Sequence, residues 1–400
     1  MPLGIYKLKT LIKPYHWGSQ SFLAELRGEE SPTAGPEAEL WIGTHPLGPS
    51  RVELEKAGAS LPLADLIAEH PEEILGSEVA ERFDNRLPFL LKILAVDKPL
   101  SIQLHPDRIQ AQRGFAEEDP GARVDDRNYQ DPRHKPELAV ALTSFVALRG
   151  LRPAAEILEL FGRAAIDTLR PEIEALRTRP DETGLRRFVG SLFDLDSVRV
   201  GTALAEGCDA VARFEADPIF RWLGRLLDVY PDDIGCLSTL LLRLVELEPG
   251  EALFQPPGML HCYLEGAAVE VMAASDNVLR AALTTKRVDV PELLKLLVVG
   301  SDEGDTVEPQ RVAPGLSVFS APVEEFSLSC LELDDPDKEH CAGTQERVQI
   351  WVCTEGEGRI AAVGGSSALT FRAGESFLVP AAVSSYVVRG RGTLFMASVP

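Results

Sequence analysis

The stretch GEALFQPP at residues 250–257 recurs near the end of the chain as GESFLVPA at residues 374–381. Each copy has a Gly-Glu pair, a short apolar run and then a proline. Glycine and proline mark turns, and a short apolar run between them is typical of a buried strand. The repeat therefore predicts two β-domains that share one turn–strand–bend unit.

The pattern of apolar residues, Pro and Gly in the rest of the chain extends this prediction. The shared pattern, G-E-x-φ-φ-x-P with φ apolar, is similar to a pattern of cupin-type jelly rolls, which are small closed β-sandwiches. Short apolar runs punctuated by Pro and Gly favour strands up to about residue 150 and again beyond residue 250. Between them, stretches such as AAEILELF at residues 154–161 have the apolar spacing of helices. We expect a mainly β protein with an α-helical insertion: two cupin-like jelly-roll domains plus a helical domain.

The predicted domain boundaries lie where the strand-like pattern changes to a helical pattern and back. Residues 1–152 form the first part of one cupin-like domain, residues 153–248 the inserted helical domain, residues 249–310 the completion of the first domain, and residues 311–400 a C-terminal cupin-like domain. The helical pattern is predicted to continue through LLLRLVEL at residues 240–247, and a short helix is expected at residues 291–297.

The composition of the chain indicates its cellular compartment and the kinds of partner it can bind. The formal net charge of −22 argues against nucleic acid as a partner, and any anionic ligand would need a local cluster of Lys and Arg. The six cysteines include no CxxC pair and are expected to be reduced thiols. Residues 1–10 lack the apolar core of a signal peptide, and the apolar runs are too short to span a bilayer. We expect a cytoplasmic protein, as a monomer, that binds no membrane.

Polar residues in three apolar segments are candidate metal ligands. Along the strand-like segment LSIQLHPD at residues 100–107, Ser101, Gln103 and His105 share one face. Glu137 opens an apolar run, and His261 follows a Gly-containing bend. Imidazole, carboxylate and amide groups are all donors to zinc, although each residue taken alone also fits a solvated face or a hydrogen-bonded core position.

Charged residues follow His261 closely. Glu270, Asp276, Arg280 and Lys286 lie within one short segment, and Arg280 and Lys286 suit a phosphate or a developing oxyanion. An exposed, salt-bridged stretch is the alternative interpretation of the same residues.

Taken in order, these segments resemble one family, type I mannose-6-phosphate isomerase. YHWGS at residues 15–19 is similar to its YxWGS motif, and AELWIGTHP at residues 38–46 to its AELWxGxHP motif. Residues 100–107, 134–142, 256–265 and 270–286 resemble its metal and active-site blocks. The resemblance departs from the family at Arg133, Ala267, Ala268 and Thr285, which bears on fine substrate preference.

The resemblance implies a zinc-dependent aldose–ketose isomerase that interconverts mannose 6-phosphate and fructose 6-phosphate through an enediol(ate). It implies one Zn²⁺ per chain, and the metal ligands carried over are Gln103, His105, Glu137 and His261. The catalytic candidates carried over are Arg280, Lys135, Glu270 and Asp276. The candidates for substrate binding are Lys92, Ser101, Tyr263 and Lys286.

Two questions stay open at this level. The group that abstracts the proton is Glu270, Asp276, Lys135 or a metal-bound hydroxide. The chain could instead be a non-catalytic sugar-phosphate-binding cupin protein or another metallo-cupin enzyme, such as an iron-dependent dioxygenase. In the second copy of the repeat, Ser385 stands five residues after Pro380, where His261 stands five after Pro256. We therefore expect the C-terminal domain to have no metal site.

Overall fold

The computed structural model describes residues 4–54, 59–119, 121–123, 127–300, 306–365 and 368–400. The strands in these ranges are β1 Tyr6–Lys9, β2 Leu11–Lys13, β3 Glu39–Ile42, β4 Arg51–Glu53, β5 Ser60–Pro62, β6 Phe89–Val96, β7 Ile102–Leu104, β8 Glu137–Ala141, β9 Phe145–Leu151, β10 Leu242–Leu247, β11 Ala252–Gln255, β12 His261–Ala273, β13 Leu279–Ala282, β14 Thr306–Val307, β15 Gln310–Ala313, β16 Leu316–Phe319, β17 Ser327–Leu333, β18 His340–Ala342, β19 Gln349–Ala362, β20 Ala368–Arg372, β21 Ser376–Val379 and β22 Tyr386–Ser398.

The α-helices in the same ranges are α1 Phe22–Leu26, α2 Leu63–Glu69, α3 Pro71–Leu75, α4 Ser77–Arg82, α5 Arg108–Glu117, α6 Ala154–Ala164, α7 Arg170–Thr178, α8 Glu182–Phe193, α9 Ser197–Arg213, α10 Pro218–Val229, α11 Ser238–Leu241 and α12 Val290–Leu296. Short 3-10 helices lie at Asp167–Leu169 and Ile234–Leu237. The predicted mainly β fold with an α-helical insertion is confirmed. In the part of the chain described here, no helix combines the length and the apolar character that crossing a bilayer requires.

The first sheet is organised around β12, which directly follows the first copy of the repeat. Its strand order is β14-β11-β8-β12-β6-β3-β2, and the first half of β12 also pairs with β7 and β9. The strand changes layers at Gly266, whose φ is +113°. A Cβ there would lie 2.4 Å from the Ser144 carbonyl oxygen, so a side chain would block the bend. One strand thereby closes two layers of β-structure around an interior.

The second sheet repeats this plan around β22. Its order is β15-β16-β17-β22-β19-β21-β1-β4-β5, and β18 and β20 pair with β22 and β19. Like β12, β22 is 13 residues long and follows its copy of the repeat. The N-terminal strand β1 pairs antiparallel with β21, so β1, β4 and β5 extend the C-terminal sheet while β2 and β3 extend the first one. The boundaries at residues 152, 248 and 310 stay predictions.

The two sheets pack on a common apolar core. Leu91 and Val271 of the first sheet and Ile350 and Phe395 of the second belong to one buried cluster, each 3% exposed or less. Burying a side chain of this size stabilises a fold by about 1.5–3 kcal/mol. The core therefore joins the jelly rolls as one packed body and fixes the strands that carry the site.

The inserted helices form a separate cluster of apolar side chains against β7, β9 and β12. Asp181, Asp196 and Asp217 cap α8, α9 and α10 by accepting hydrogen bonds from backbone amides at the helix starts. The helix expected at residues 291–297 is present as α12.

Two local predictions are wrong. Residues 242–247 are strand β10 and not helix, because they pair along β9, and this tertiary pairing outweighs the helical spacing of their apolar residues. The first 150 residues contain α1 to α5, where only strands and turns were expected. The start of α5 does carry a local signal, the reciprocal hydrogen bonds of Asp107 and Gln110 that form a capping box.

Candidate functional site

A cavity of about 530 Å³ opens in the first jelly roll between β6, β7, β8, β12 and β13. The predicted site residues that line it are Lys92, Ser101, Gln103, Lys135, Glu137, Tyr263, Glu270, Asp276, Arg280 and Lys286. The remaining predicted residues, His105 and His261, are fully buried beside Glu137. The structure thus brings every residue of the predicted site together, although their roles stay predictions.

Strand register explains how distant segments meet. Gln103 of β7 is directly opposite His261 of β12 on one side and Arg280 of β13 on the other. Residues opposite each other in antiparallel strands present their side chains on the same face. The register therefore gathers an amide, an imidazole and a guanidinium from three segments along one row.

Three potential metal ligands, His105, Glu137 and His261, converge in the interior. The Nε2 atom of His105 is 3.4 Å from Glu137 Oε1, and the Nε2 atom of His261 is 3.4 Å from Glu137 Oε2. All three residues are buried, and their ligand atoms lie within 4.8 Å of one another. Within the described residues this is the group of His, Cys, Asp and Glu with the geometry to hold a metal ion.

The hydrogen bonds at the far side of each ring fix its tautomer. His105 Nδ1 donates to the Asn277 carbonyl at 2.8 Å, and His261 Nδ1 donates to the Met259 carbonyl at 3.0 Å. A carbonyl accepts and never donates, so the proton of each neutral ring is on Nδ1 and each Nε2 presents a lone pair.

Two lone pairs and a carboxylate therefore face one another in a buried space. Among the described residues, neither Nε2 atom has a hydrogen-bond donor. Acceptors in this arrangement repel one another unless a cation lies between them. The donor set of two imidazoles and one carboxylate is one that zinc accepts, and backbone carbonyls hold both rings in the orientation that ligation needs.

The pKa shifts agree with this assignment. Burial and the nearby Lys135 lower the pKa of His105 to about 4, so the ring is neutral at physiological pH. Burial alone would raise the pKa of Glu137, but the adjacent Lys135 ammonium outweighs it and holds the pKa well below its usual range. Lys135 Nζ makes a close ion pair with Glu137 Oε1.

Lys92, Glu270 and Glu39 form a second buried cluster of charged residues on the cavity lining. Lys92 Nζ is 3.1 Å from Glu270 Oε2 and 3.4 Å from Glu39 Oε2, and Trp41 Nε1 also donates to Glu39. These carboxylates raise the pKa of Lys92 although burial opposes the charge. Burial, together with Glu137 and Glu39, raises the pKa of Glu270 despite the nearby cations. The pKa of Glu270 is therefore shifted toward physiological pH. A pKa in that range suits a group that transfers protons.

Asn277 is a site residue that the sequence analysis did not single out. Its side-chain oxygen accepts from the Gln130 backbone N–H at 2.7 Å, and its side-chain nitrogen donates to the Asp131 and Arg133 carbonyls at 2.7 Å each. Its own carbonyl accepts from His105. One fully buried side chain therefore ties the loop before Lys135 to the turn that orients His105.

Glu39 and His45 were also missed as site residues, and both contact predicted ones. Glu39 reaches Lys92, and His45 reaches Asp276. Both residues stand in the AELWIGTHP motif at residues 38–46. The sequence analysis quoted this motif but assigned no role to either residue.

Comparisons with known proteins agree with the geometry. Residues 5–154 match the family described as phosphomannose isomerase type I, catalytic domain, and residues 317–399 match mannose-6-phosphate isomerase, cupin domain. Mannose-6-phosphate isomerase of Escherichia coli K12 is 38% identical over 97% of this chain and 98% of its own length.

Solved structures are similar over nearly the whole chain. A crystal structure of a mutant phosphomannose isomerase from Salmonella typhimurium is 36% identical with a TM-score of 0.92, and 99% of each chain is covered. A crystal structure of mannose 6-phosphate isomerase bound with zinc and yttrium is 35% identical with a TM-score of 0.90 and the same coverage. The predicted resemblance is confirmed, and the chain belongs to the type I mannose-6-phosphate isomerase family.

Proposed function

We propose that this chain interconverts D-mannose 6-phosphate and D-fructose 6-phosphate at the cavity of the first jelly roll. The observation that carries the proposal is the buried His105–Glu137–His261 cluster, whose geometry suits a metal ion, beside a cavity that also has Lys92, Lys135, Arg280 and Lys286 on its lining. On a chain of net charge −22, such a concentration of cations is suited to an anionic substrate.

We infer that one zinc ion per chain is held by His105, Glu137 and His261, with Gln103 as a further ligand. Gln103 lines the cavity and is opposite His261 in strand register, which supports its inclusion. When bound, zinc supplies positive charge that polarises the substrate oxygens.

The residues of the chain carry the proton movements. Isomerisation transfers a proton between C1 and C2 of the open-chain sugar and builds negative charge on the oxygens of an enediol(ate). Arg280 and Lys135 stabilise this charge. Glu270 and Asp276 hold or move protons, with Lys135 as the remaining candidate for the base among the side chains. Glu270 lines the cavity and burial raises its pKa, so it stays a candidate for the base beside Asp276 and Lys135.

Substrate recognition is assigned to the remaining residues of the wall. Ser101, Tyr263 and Lys92 line the cavity and are proposed to bind the sugar hydroxyls. Lys286 follows β13, with Arg287 and Arg127 also on the cavity lining. A phosphate on C6 would extend toward this group, where cations offset the negative field of the chain.

We further infer that the enzyme is a cytoplasmic monomer with no nucleic-acid or membrane partner. All six cysteines are unpaired thiols, as a reducing compartment would maintain them, and the acidic charge opposes nucleic acid and anionic lipid. This chain would then supply or consume mannose phosphates for mannose and GDP-mannose metabolism.

The test is a coupled assay for fructose 6-phosphate with mannose 6-phosphate as the substrate. We expect turnover by the wild type and loss of turnover in Glu137→Gln, which keeps the shape of the side chain and removes the charge. Ser327→Ala, on β17 of the other jelly roll, is the matched control and should keep wild-type activity. Binding of mannose 6-phosphate without any turnover would support the non-catalytic alternative, and iron with oxygen uptake would support the dioxygenase alternative.

A further inference from the structure

His45 is held in one orientation at the edge of the cavity. It lies in the loop after β3, and its side chain is 5% exposed. Its Nδ1 accepts a hydrogen bond from the Leu47 backbone N–H at 3.2 Å, and its ring meets the edge of Trp41 with 4.7 Å between ring centroids. An acceptor at Nδ1 requires that the proton of the neutral ring is on Nε2.

That proton points at Asp276. His45 Nε2 donates to Asp276 Oδ1 at 2.9 Å, across 231 positions of sequence. The Asp276 backbone is fixed independently, because its N–H donates to Asp131 Oδ2 at 2.8 Å. The Asp276 side chain is 44% exposed and lines the cavity, so the carboxylate is held at one oxygen and open to the substrate.

The charge state of Asp276 agrees with this arrangement. Burial would raise its pKa, but the hydrogen bond from His45 and the nearby Lys135 and Lys92 lower the pKa below its usual value. Asp276 is therefore an acceptor at neutral pH, which is what a group that binds or deprotonates a sugar hydroxyl needs.

We propose that His45 is a positioning residue for the isomerase reaction: it holds the Asp276 carboxylate by Oδ1 and thereby aims the other oxygen at the hydroxyl groups of the open-chain sugar. This inference rests on the proposed function. Rings held by a backbone N–H and an aromatic edge keep a fixed geometry, and a misplacement of about 1 Å at a reacting group can cost about 10² in rate.

The test compares two amide substitutions that mimic opposite sides of the ring. His45→Gln can place its amide nitrogen near the position of Nε2 and donate to Asp276. His45→Asn reaches only the position of Nδ1, so it can contact Leu47 but not Asp276. We expect His45→Asn to lower kcat by about tenfold to a hundredfold with KM within about threefold, and His45→Gln to recover most of the loss. Zinc content and the thermal midpoint should stay near wild type in both.

A double variant distinguishes positioning from a general structural role. If His45 acts through Asp276, then His45→Asn combined with Asp276→Asn should be no slower than Asp276→Asn alone. Multiplicative losses in the double variant, equal activity of the Gln and Asn variants, or loss of zinc or thermal stability in His45→Asn would overturn the proposal. An inactive wild type would instead refute the proposed function and this inference with it, so the two failures are distinguishable.

Discussion

The two jelly rolls have a similar arrangement of strands and differ in whether their buried polar groups have hydrogen-bond partners. Each has the repeated turn and short strand, then a 13-residue strand, and each encloses or borders a cavity of about 530 Å³. In the C-terminal domain, Gln349 accepts from the Tyr386 hydroxyl at 2.6 Å and donates to the Gly343 carbonyl at 3.1 Å. In the first domain, His105 and His261 leave their Nε2 atoms directed at Glu137 without a donor among the described residues.

The difference shows that the site depends on converging, unpaired lone pairs and not on the fold. A buried polar group that finds its partner inside the protein contributes to structure. A group of buried lone pairs that converge without partners is stable when a ligand completes it. The predictions below test this distinction, from the largest expected effect to the smallest.

His105→Ala is expected to have the largest effect, because it removes one of the converging lone pairs. Zinc content should fall far below one per chain, and turnover should fall with it, because the remaining ligands cannot complete the shell. Elemental analysis of the purified protein measures the zinc content, and the coupled assay measures the turnover. Gln103→Ala should be milder, since water can replace a neutral carbonyl ligand.

The matched control is His340→Ala in the C-terminal domain, where a histidine also borders the cavity. This variant should keep zinc content and turnover. Full zinc occupancy in His105→Ala, or loss of zinc in His340→Ala, would contradict the assignment of the metal to the first jelly roll.

Arg280→Ala should lower kcat by about 10² to 10³ with little change in KM and with zinc retained. Arginine keeps its proton, so its role is electrostatic and greatest where negative charge develops. Arg280→Lys should rescue the rate only in part, because a point charge cannot reproduce the two-pronged guanidinium. A raised KM with unchanged kcat would show that Arg280 anchors the phosphate, and no effect on either would refute its place in the site.

Glu325 links the C-terminal part of the chain to two segments of the first jelly roll. Its Oε1 accepts from His134 Nε2 at 2.7 Å and from Arg108 at 2.8 Å, and its side chain is 10% exposed. Glu325→Gln should lower the free energy of unfolding by about 1–3 kcal/mol at neutral pH, as expected for a buried hydrogen bond to a charged group. Glu324→Gln is the matched control and should cost less, since its carboxylate is 32% exposed.

The effect of Glu325→Gln should depend on pH in a defined direction. Burial would raise the pKa of Glu325, but His134 and Arg108 lower it below the usual 4.5. A carboxyl with a lowered pKa in the folded state stabilises the fold above its unfolded pKa, and this stability is lost as pH falls through the folded value. Urea unfolding should therefore show a smaller difference between variant and wild type below about pH 4.5 than at pH 7. A difference that grows in acid would show that the carboxylate is not stabilised in this way.

Ser385→Ala should have the smallest effect. Ser385 takes the place in the second repeat that His261 takes in the first, and nothing in the proposed chemistry uses it. Zinc content and turnover should stay within a small factor of wild type. A metal-dependent change in this variant would mean that the C-terminal jelly roll has a site of its own.

The sequence predicted which residues lie together around the cavity better than it predicted the local structure. Gln103, Glu137 and His261 stand in motifs whose order matched a family, and strand pairing brings such motifs together. The helices of the first 150 residues and the strand Leu242–Leu247 were missed, because tertiary pairing decides short segments whose apolar spacing suits either structure.

Two other features could not be reached from the sequence. The pairing of β1 with β21 links segments about 370 positions apart, and no local pattern encodes a contact over that separation. The positions of His45 and Asn277 in the site depend on hydrogen bonds to partners from distant segments. Their residue types alone are equally typical of turns and caps.

The metal content of the purified protein, measured with its activity before and after chelation, tests the central claim most directly. We predict one zinc per chain, loss of turnover when the zinc is removed, and return of both when zinc alone is added back. Two tightly bound metal ions per chain, iron in place of zinc, or full turnover after exhaustive chelation would contradict the assignment of the chemistry to the buried residues His105, Glu137 and His261.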